Sequence, residues 1–247
     1  QFVSKSALPG LLDPLKEVLL ASGSHKVVKK AESAFYKIGR GLVANRFLAV
    51  DSLMPVLVDI LSTTAPDVDD AAEAKDSGRI QSLSQKLPSK MDCFIIPEKS
   101  LRRVHQVSKI NRTSHLHVMS DFALTCYLYL LKNNRLVSSD AQHAQLLDPT
   151  VAHLNAFLRS KDTKVITSSL QCLHTLLLKF PELACFKQLI QQVISQIFVL
   201  LNKYSGLGSD NGQLVTLCFK TIAHFINTRS DCKLSNEEIA VLLSYAE

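Results

Sequence analysis

The sequence predicts an all-α protein in which antiparallel helix pairs stack side by side. Apolar residues recur at helical spacing along most of the chain, one pattern of apolar and small residues returns several times, and short polar turns separate the candidate helices. The 247-residue chain is 47% hydrophobic, which is enough for a large buried core. Its eight Gly and eight Pro are few for an all-β protein of this size.

The clearest helix pair lies between Leu147 and Pro181. Asp148 precedes Pro149, which predicts that the first helix begins here, with Asp as N-cap and Pro at the first helical position. Asp162 is predicted to cap the second helix, and Pro181 to end it because proline lacks a backbone donor. The first helix carries an apolar stripe: Val151, Leu154, Phe157 and Leu158.

The second helix of this pair carries a pattern that the chain repeats: apolar, small, small, large apolar, apolar. The four copies are Val165, Ser169, Cys172, Leu173, Leu176; Val27, Ala31, Ala34, Phe35, Ile38; Met119, Ala123, Cys126, Tyr127, Leu130; and Leu214, Cys218, Thr221, Ile222, Phe225. The second positions of the last three copies in chain order, Ala123, Ser169 and Cys218, are 46 and 49 residues apart. Two-helix units with periods of about 40–47 residues are typical of HEAT-type α-solenoids.

The spacing from Ala31 to Ala123 is about twice that period, and we attribute the difference to an insertion at 64–114. The insertion divides the chain into HEAT-like repeats at 1–63 and at 115–247. Its acidic and then Ser/Gln/Lys-rich composition, with few apolar residues, favours a largely flexible segment. We expect the apolar plug at 94–96 to dock on the solenoid, because three exposed apolar residues in a row are unfavourable in water.

The remaining helices are predicted from apolar periodicity and turn residues. They are Leu11–Leu20, opened by Asp13 and Pro14, then Lys26–Asn45, Leu53–Leu61, Ala184–Tyr204 and Gln213–Asn227. Ser235 with Glu238 three residues later predicts a capping box that opens a further helix. Because the chain begins with Gln and its end falls within a helical pattern, we expect a fragment of a longer array.

The sequence favours no catalytic, cofactor or metal chemistry. The glycine-rich loop at 206–212 lacks the Lys-Ser/Thr and the preceding strand of a phosphate loop, and no Ser, Cys or Thr has a recognisable base beside it. His174 and His224 fall within helices and are interpreted as packing residues. The six widely spaced cysteines suit buried thiols in a reducing compartment. We therefore predict no enzyme, cofactor, metal site, small-molecule substrate or membrane span.

Two basic clusters are candidate binding surfaces in a chain of net charge +6. The first lies on one helix and comprises Lys26, Lys29, Lys30, Lys37 and Arg40, which the periodicity places opposite the apolar face. The second lies in the insertion and includes Arg102, Arg103, Lys109 and Arg112. Each is either a solvated surface or a contact for RNA phosphates or an acidic protein partner.

Four strings carry a family resemblance: LLDPTVAHLNAFLRSKDTKVITSSLQCLHTLLLKFP, LLNKYSGLG, VLLSYAE and CFIIPEKSLRR. They resemble the DRIM (down-regulated in metastasis) family of very large nucleolar HEAT-repeat proteins, the homologues of small-subunit processome component 20. The resemblance covers Cys93–Glu247 best. The resemblance implies a non-catalytic scaffold that is located in the nucleus, in the nucleolus. The scaffold would be part of the ribonucleoprotein that matures 18S ribosomal RNA. The implied partners are processome proteins and pre-ribosomal or small nucleolar RNA.

The competing interpretation is a HEAT-repeat adaptor that binds only protein, such as a transport receptor or a phosphatase or kinase scaffold. Such an adaptor would show acidic or apolar patches on its inner face and would need no basic insertion. An enzyme is the third and weakest interpretation, because the scattered histidines support no catalytic arrangement.

Overall fold

The computed structural model describes residues 7–21, 24–46, 50–66, 116–136, 141–205 and 211–245. Within these ranges, 84% of the residues are helical and there is no β-strand, so the all-α prediction is confirmed. The division into repeats at 1–63 and 115–247 around an insertion stays a prediction. The nine helices of the described ranges are α1 (Ala7–Ala21), α2 (His25–Ala44), α3 (Val50–Thr64), α4 (116–132), α5 (Ala141–Phe157), α6 (Thr163–Lys179), α7 (Ala184–Tyr204), α8 (Gly212–Thr228) and α9 (Asn236–Ser244).

The helices pack in two layers. Consecutive helices form the pairs α1–α2, α5–α6 and α7–α8, and the odd-numbered helices α1, α3, α5 and α7 lie side by side in that order. The even-numbered helices form the other layer. The rings of Phe35 in α2 and Phe122 in α4 pack edge to face at 5.3 Å, the Cys172 thiol of α6 donates to the Leu124 carbonyl of α4, and α6 packs against α8.

The recurring sequence pattern forms the core between the layers. All five positions are at most 2% exposed in the copies on α4, α6 and α8. The polar side chains Ser169 and Thr221 in the pattern have partners: the Ser169 hydroxyl donates to the Leu154 carbonyl and the Thr221 hydroxyl to the Leu217 carbonyl, each at 2.7 Å. The expected burial of one small residue from each copy is confirmed for Ala31, Ala123, Cys172 and Cys218.

The register predicted for the first copy is wrong in part. Val27 is 44% exposed, and Ala34 and Ile38 are only partly buried, whereas the neighbouring Val28 and Gly39 are buried. The reason is the position of α2 in the stack. Its buried face meets α1 and the Phe122 ring of α4, and the exposed Val27 lies on the flank away from Gly39.

Three helices of the odd-numbered layer continue through a proline. The prediction that Pro14 and Pro149 open their helices is wrong, because α1 begins at Ala7 and α5 at Ala141; Pro55 likewise lies inside α3. All three prolines are exposed. A proline on the solvent side removes one backbone hydrogen bond and bends the helix. Buried side chains on both sides of each proline hold these helices together.

Two of the predicted N-terminal caps, Asp162 and Ser235, are confirmed, whereas Asp13 and Asp148 lie inside their helices and the prediction that they cap is wrong. The Asp162 carboxylate accepts from the backbone N–H of Lys164 at 2.8 Å and of Val165 at 3.4 Å. The Ser235 hydroxyl accepts from the Glu238 N–H, while the Glu238 carboxylate accepts from the Ser235 N–H at 2.8 Å. These caps satisfy donors that the first helical turn leaves without partners.

Two cations join the ends of neighbouring even-numbered helices. Lys179 of α6 donates to the Leu131 carbonyl of α4, and Arg229 after α8 donates to the Pro181 carbonyl at 2.6 Å. Arg229 is 7% exposed and is neutralised by Asp231, whose carboxylate accepts hydrogen bonds at 2.9 and 2.6 Å. The hydrogen bond from Arg229 lowers the pKa of Asp231. Positive charge is favourable at helix C-termini, where the macrodipole is negative.

Helix α7 is the one described helix that is long and apolar enough to cross a membrane by length and composition, with a mean hydropathy of 1.4. Half of that stretch is buried in the fold. It packs against α5 and α8. A buried core helix passes the same test, so this single helix is weak evidence for a membrane span.

Two glycines of α2 give a matched test of how tightly α2 packs on α4. A Cβ on Gly39 would lie 2.9 Å from Cδ2 of Phe122, whereas a Cβ on Gly41 would meet nothing within 4 Å. We expect Gly41→Ala to raise the free energy of unfolding by up to about 1 kcal/mol through helix propensity. We expect Gly39→Ala to give a net loss of about 0–2 kcal/mol, because overpacking costs about 1–3 kcal/mol. Urea denaturation measures both, and equal stabilisation would contradict the packing described.

Candidate nucleic-acid interface

Five cations of α2 form one stripe on its solvent side, called the α2 stripe below: Lys26, Lys29, Lys30, Lys37 and Arg40. All five side chains are exposed, as predicted. At about 100° per residue they fall within an arc of about 100°. The buried positions Val28, Phe35 and Leu42 lie on nearly the opposite side of the helix. The stripe therefore faces away from the core along about 21 Å of helix.

The charge of the stripe is uneven along α2. Lys26, Lys29 and Lys30 lie in the first two turns, where the backbone N–H groups already give the helix a positive end. Glu32 is the one acid of α2, and its position lies about 60° outside the arc of the stripe. The N-terminal end of α2 is therefore the most electropositive part of this surface.

The side of α2 opposite the stripe packs into the core. Phe35, on the opposite side of α2, is fully buried and packs edge to face against Phe122. Gly39 brings the α2 backbone close to the same Phe122 ring. The cations therefore stand on a helix whose opposite side packs against α4.

An exposed aromatic side chain borders the stripe. Tyr36 is 59% exposed, and the guanidinium carbon of Arg40 lies 5.6 Å from the centroid of its ring. The two residues are four positions apart, which brings their side chains together on a helix surface. This distance allows a cation–π interaction. The pair was not predicted from the sequence. An aromatic residue four positions before an arginine on a basic helix could have predicted it.

A second polar surface on the even-numbered layer carries charges of both signs. An open groove of about 390 Å³ is lined by residues of α4, α6 and α8 that include Asp121, Lys164 and Gln171. Burial raises the pKa of Asp121, and the positive charge of Lys164 opposes that rise. The groove combines hydroxyl, amide and oppositely charged groups, so it lacks the uniform positive charge of the α2 stripe.

Two of the helical histidines, His174 and His224, lie close together. The rings of His174 in α6 and His224 in α8 are 5.8 Å apart, and the Thr221 hydroxyl is 3.4 Å from Nδ1 of His174. Burial lowers the pKa of His174, and the positive charges of His224 and Lys220 lower it further. Among the residues that the structure describes, no three His, Cys, Asp or Glu side chains converge as a metal ion would require.

The described cysteines are free thiols, and four of the five are buried. Burial raises the pKa of Cys126 and of Cys218 to about 12, and also raises that of Cys172. A thiol with a raised pKa is a poor nucleophile, because the thiolate is the reactive form. Cys93 lies outside the described residues.

The second predicted cluster, with Arg102, Arg103, Lys109 and Arg112, lies outside the described residues, as does the plug at 94–96. The described part of the predicted surface is therefore the α2 stripe. Its charges are together on one helix face, and its exposure is confirmed. No protein-family model matches the chain.

Proposed function

We propose that the chain is part of a HEAT-type α-solenoid and serves as a non-catalytic scaffold of the small-subunit processome. In this role it takes part in 18S ribosomal RNA maturation and assembly of the small ribosomal subunit, in the nucleolus. It binds processome proteins and contacts pre-ribosomal or small nucleolar RNA through the α2 stripe. The particle is inferred from the resemblance to the DRIM family, and the RNA contact from the charge on α2.

Recurring contacts between successive even-numbered helices support the solenoid. Hydrogen bonds join Cys172 to Leu124 and Lys179 to Leu131, each 48 residues apart. The next pair repeats the separation: Thr221 meets His174 at 47 residues, and Arg229 meets Pro181 at 48. One separation that recurs from pair to pair is expected when a two-helix unit is repeated along a stack.

The single observation that carries the RNA contact is the α2 stripe. A protein that neutralises RNA phosphates with Lys and Arg releases counterions, which gives a large, salt-dependent part of the binding energy. The stripe places five such cations on one helix, with no acid inside its arc. The cores of protein–protein interfaces are depleted in charged residues and particularly in Lys. This composition favours RNA over an apolar or acidic protein-docking surface.

The stripe is tested by a variant in which Lys26, Lys29, Lys30, Lys37 and Arg40 are all changed to Gln. RNA affinity should fall, and the slope of log affinity against log salt should flatten by about 0.7 for each single-strand phosphate that the variant no longer neutralises. Fluorescence anisotropy with labelled RNA over a salt series measures both quantities, and circular dichroism verifies that the helices persist.

The matched control removes the same charge elsewhere, at five exposed lysines. Its substitutions to Gln are at Lys161, Lys187, Lys203, Lys220 and Lys233. Equal losses in both variants would show a general charge effect and reject the stripe as a site. Unchanged affinity and slope in the α2 variant would leave the protein-only adaptor as the better explanation. Charge reversal at Arg102, Arg103 and Lys109 tests the predicted second cluster in the same assay.

A further inference from the structure

We propose that the α2 stripe binds unpaired RNA, with Tyr36 as a platform on which one base stacks. This inference rests on the proposed RNA contact of α2 and specifies its ligand: a single strand in preference to a duplex. It follows from the position of Tyr36 on α2, from the Arg40 side chain that contacts its ring, and from the spacing of the cations along the helix.

The position of Tyr36 places its ring beside the stripe on the outer surface. At about 100° per residue, Tyr36 lies about 20° beyond Lys29. Its flank is the one that turns toward α4, since Gly39 on the same side meets Phe122. The exposed Val27 lies on the other flank of α2. The Tyr36 ring is therefore exposed on the side of α2 that is next to α4.

The pairing with Arg40 distinguishes Tyr36 from other exposed apolar side chains. Single exposed hydrophobic residues are normal on protein surfaces and need no explanation. Here the Arg40 guanidinium lies over the ring at 5.6 Å, and the ring is still 59% exposed. The guanidinium is a second flat surface beside the ring, and it carries a positive charge. Proteins that bind single strands combine aromatic rings and arginine planes with a basic track in this way.

The cations fall into two groups along the helix axis, and Tyr36 lies at the level of the second group, at the edge of the stripe. Lys26, Lys29 and Lys30 form the first group, and Lys37 with Arg40 forms the second. The gap from Lys30 to Lys37 is about 10 Å along the helix axis. A strand that follows the stripe can therefore place phosphates on both groups while a base beside the second group reaches Tyr36.

The chemistry of the ligand decides between single strand and duplex. In a duplex the base faces are hidden in the stack, and a surface such as this one meets phosphates and 2′-hydroxyls. An unpaired base exposes its face and can stack on Tyr36. An acidic peptide would pair with the cations and have no need of the ring. The aromatic residue therefore favours unpaired RNA over both.

A tryptophan reporter tests the stacking directly. The chain contains no Trp, so Tyr36→Trp introduces a single tryptophan at the platform, which long-wavelength excitation separates from the remaining tyrosines. We expect a short oligouridylate to quench its emission, and a duplex of matched length or polyglutamate to leave it nearly unchanged. Leu243→Trp is the control, since Leu243 is 61% exposed on α9, at the other end of the chain. Equal quenching by duplex, by polyglutamate or at position 243 would overturn the inference.

A pair of substitutions tests the energetic contribution of the ring. Tyr36→Leu keeps an apolar side chain but removes the aromatic face, and we expect a loss of oligouridylate affinity of roughly 5- to 150-fold, the range for one stacked base. Duplex affinity and the salt slope should not change, because the cations that neutralise phosphates are all kept. Tyr36→Phe should bind oligouridylate like the parent chain.

The outcomes separate this inference from the proposed function. If Tyr36→Leu binds oligouridylate like the parent while the quintuple α2 variant does not, the phosphate contact stands and base stacking is rejected. If the parent chain binds neither oligouridylate nor duplex, the RNA contact fails and the stacking fails with it. Equal losses for oligouridylate and duplex in Tyr36→Leu would also reject stacking, because the ring would then support the helix and not a base.

Discussion

Replacing Phe35 with alanine is expected to lower the free energy of unfolding by about 3–5 kcal/mol. Phe35 is fully buried and is the largest buried side chain of α2. Its ring packs edge to face on Phe122 at 5.3 Å, and such aromatic pairs contribute about 0.5–1.5 kcal/mol beyond their buried area. Removing the ring opens a cavity between α2 and α4 and takes away the main anchor of α2.

The destabilisation should reach the candidate interface although no charge is removed. We expect faster amide hydrogen exchange in α2 first, and weaker RNA binding because the α2 stripe loses its fixed support. Phe35→Leu is the control, since it keeps most of the apolar volume and should cost less than the alanine variant. Undiminished protection of α2 in Phe35→Ala would show that the helix does not depend on this packing.

Replacing Leu173 with alanine is expected to lower the free energy of unfolding by about 2–5 kcal/mol. Leu173 is 1% exposed on α6, which packs against α5 in its own pair and against α8 in the next. In a stack of repeats each unit contacts mainly its neighbours, so damage spreads outward from the altered repeat. Hydrogen exchange should therefore accelerate first in α5, α6 and α8 and last in α1 and α2.

The control for Leu173→Ala lies on the same helix. Leu178 is 52% exposed, so Leu178→Ala makes the same chemical change without a cavity and should stay within about 0.5 kcal/mol of the parent. A uniform loss of protection across all the described helices of Leu173→Ala would argue against a solenoid and for one cooperative globule.

Apolar periodicity predicted the helices where the local pattern and the final packing agree. Helix α7 begins and ends at the predicted Ala184 and Tyr204, because its apolar residues follow one face without interruption. Asp162 and Ser235 cap as predicted, since a cap depends on a few neighbouring residues. The helix starts predicted from the Asp-Pro pairs were wrong. The prediction followed from the fact that a proline such as Pro149 is favourable at the first helical position. Leu147 precedes this proline and is buried, which favours a helix that begins N-terminal to it. That burial depends on residues distant in the chain.

The same limit applies to the candidate interface. The exposure of Lys26 and its neighbours could be predicted, since they lie opposite an apolar stripe on one helix. Whether Val27 or Val28 faces the core could not, because that choice depends on which flank of α2 a neighbouring helix covers. The links made by Lys179 and Arg229 join residues 48 positions apart, and only the stacking of pairs brings those residues together.

Ultraviolet crosslinking of RNA to the chain within its native particle, with adducts mapped to single residues, tests the proposed RNA contact of α2 most directly. We expect adducts on α2, with Tyr36 among them, because a stacked aromatic residue lies close enough to a base to react. Adducts should be rare on the outer face of α7, which carries no such stripe. An α2 free of RNA adducts, in a particle where other proteins crosslink, would contradict the proposed contact.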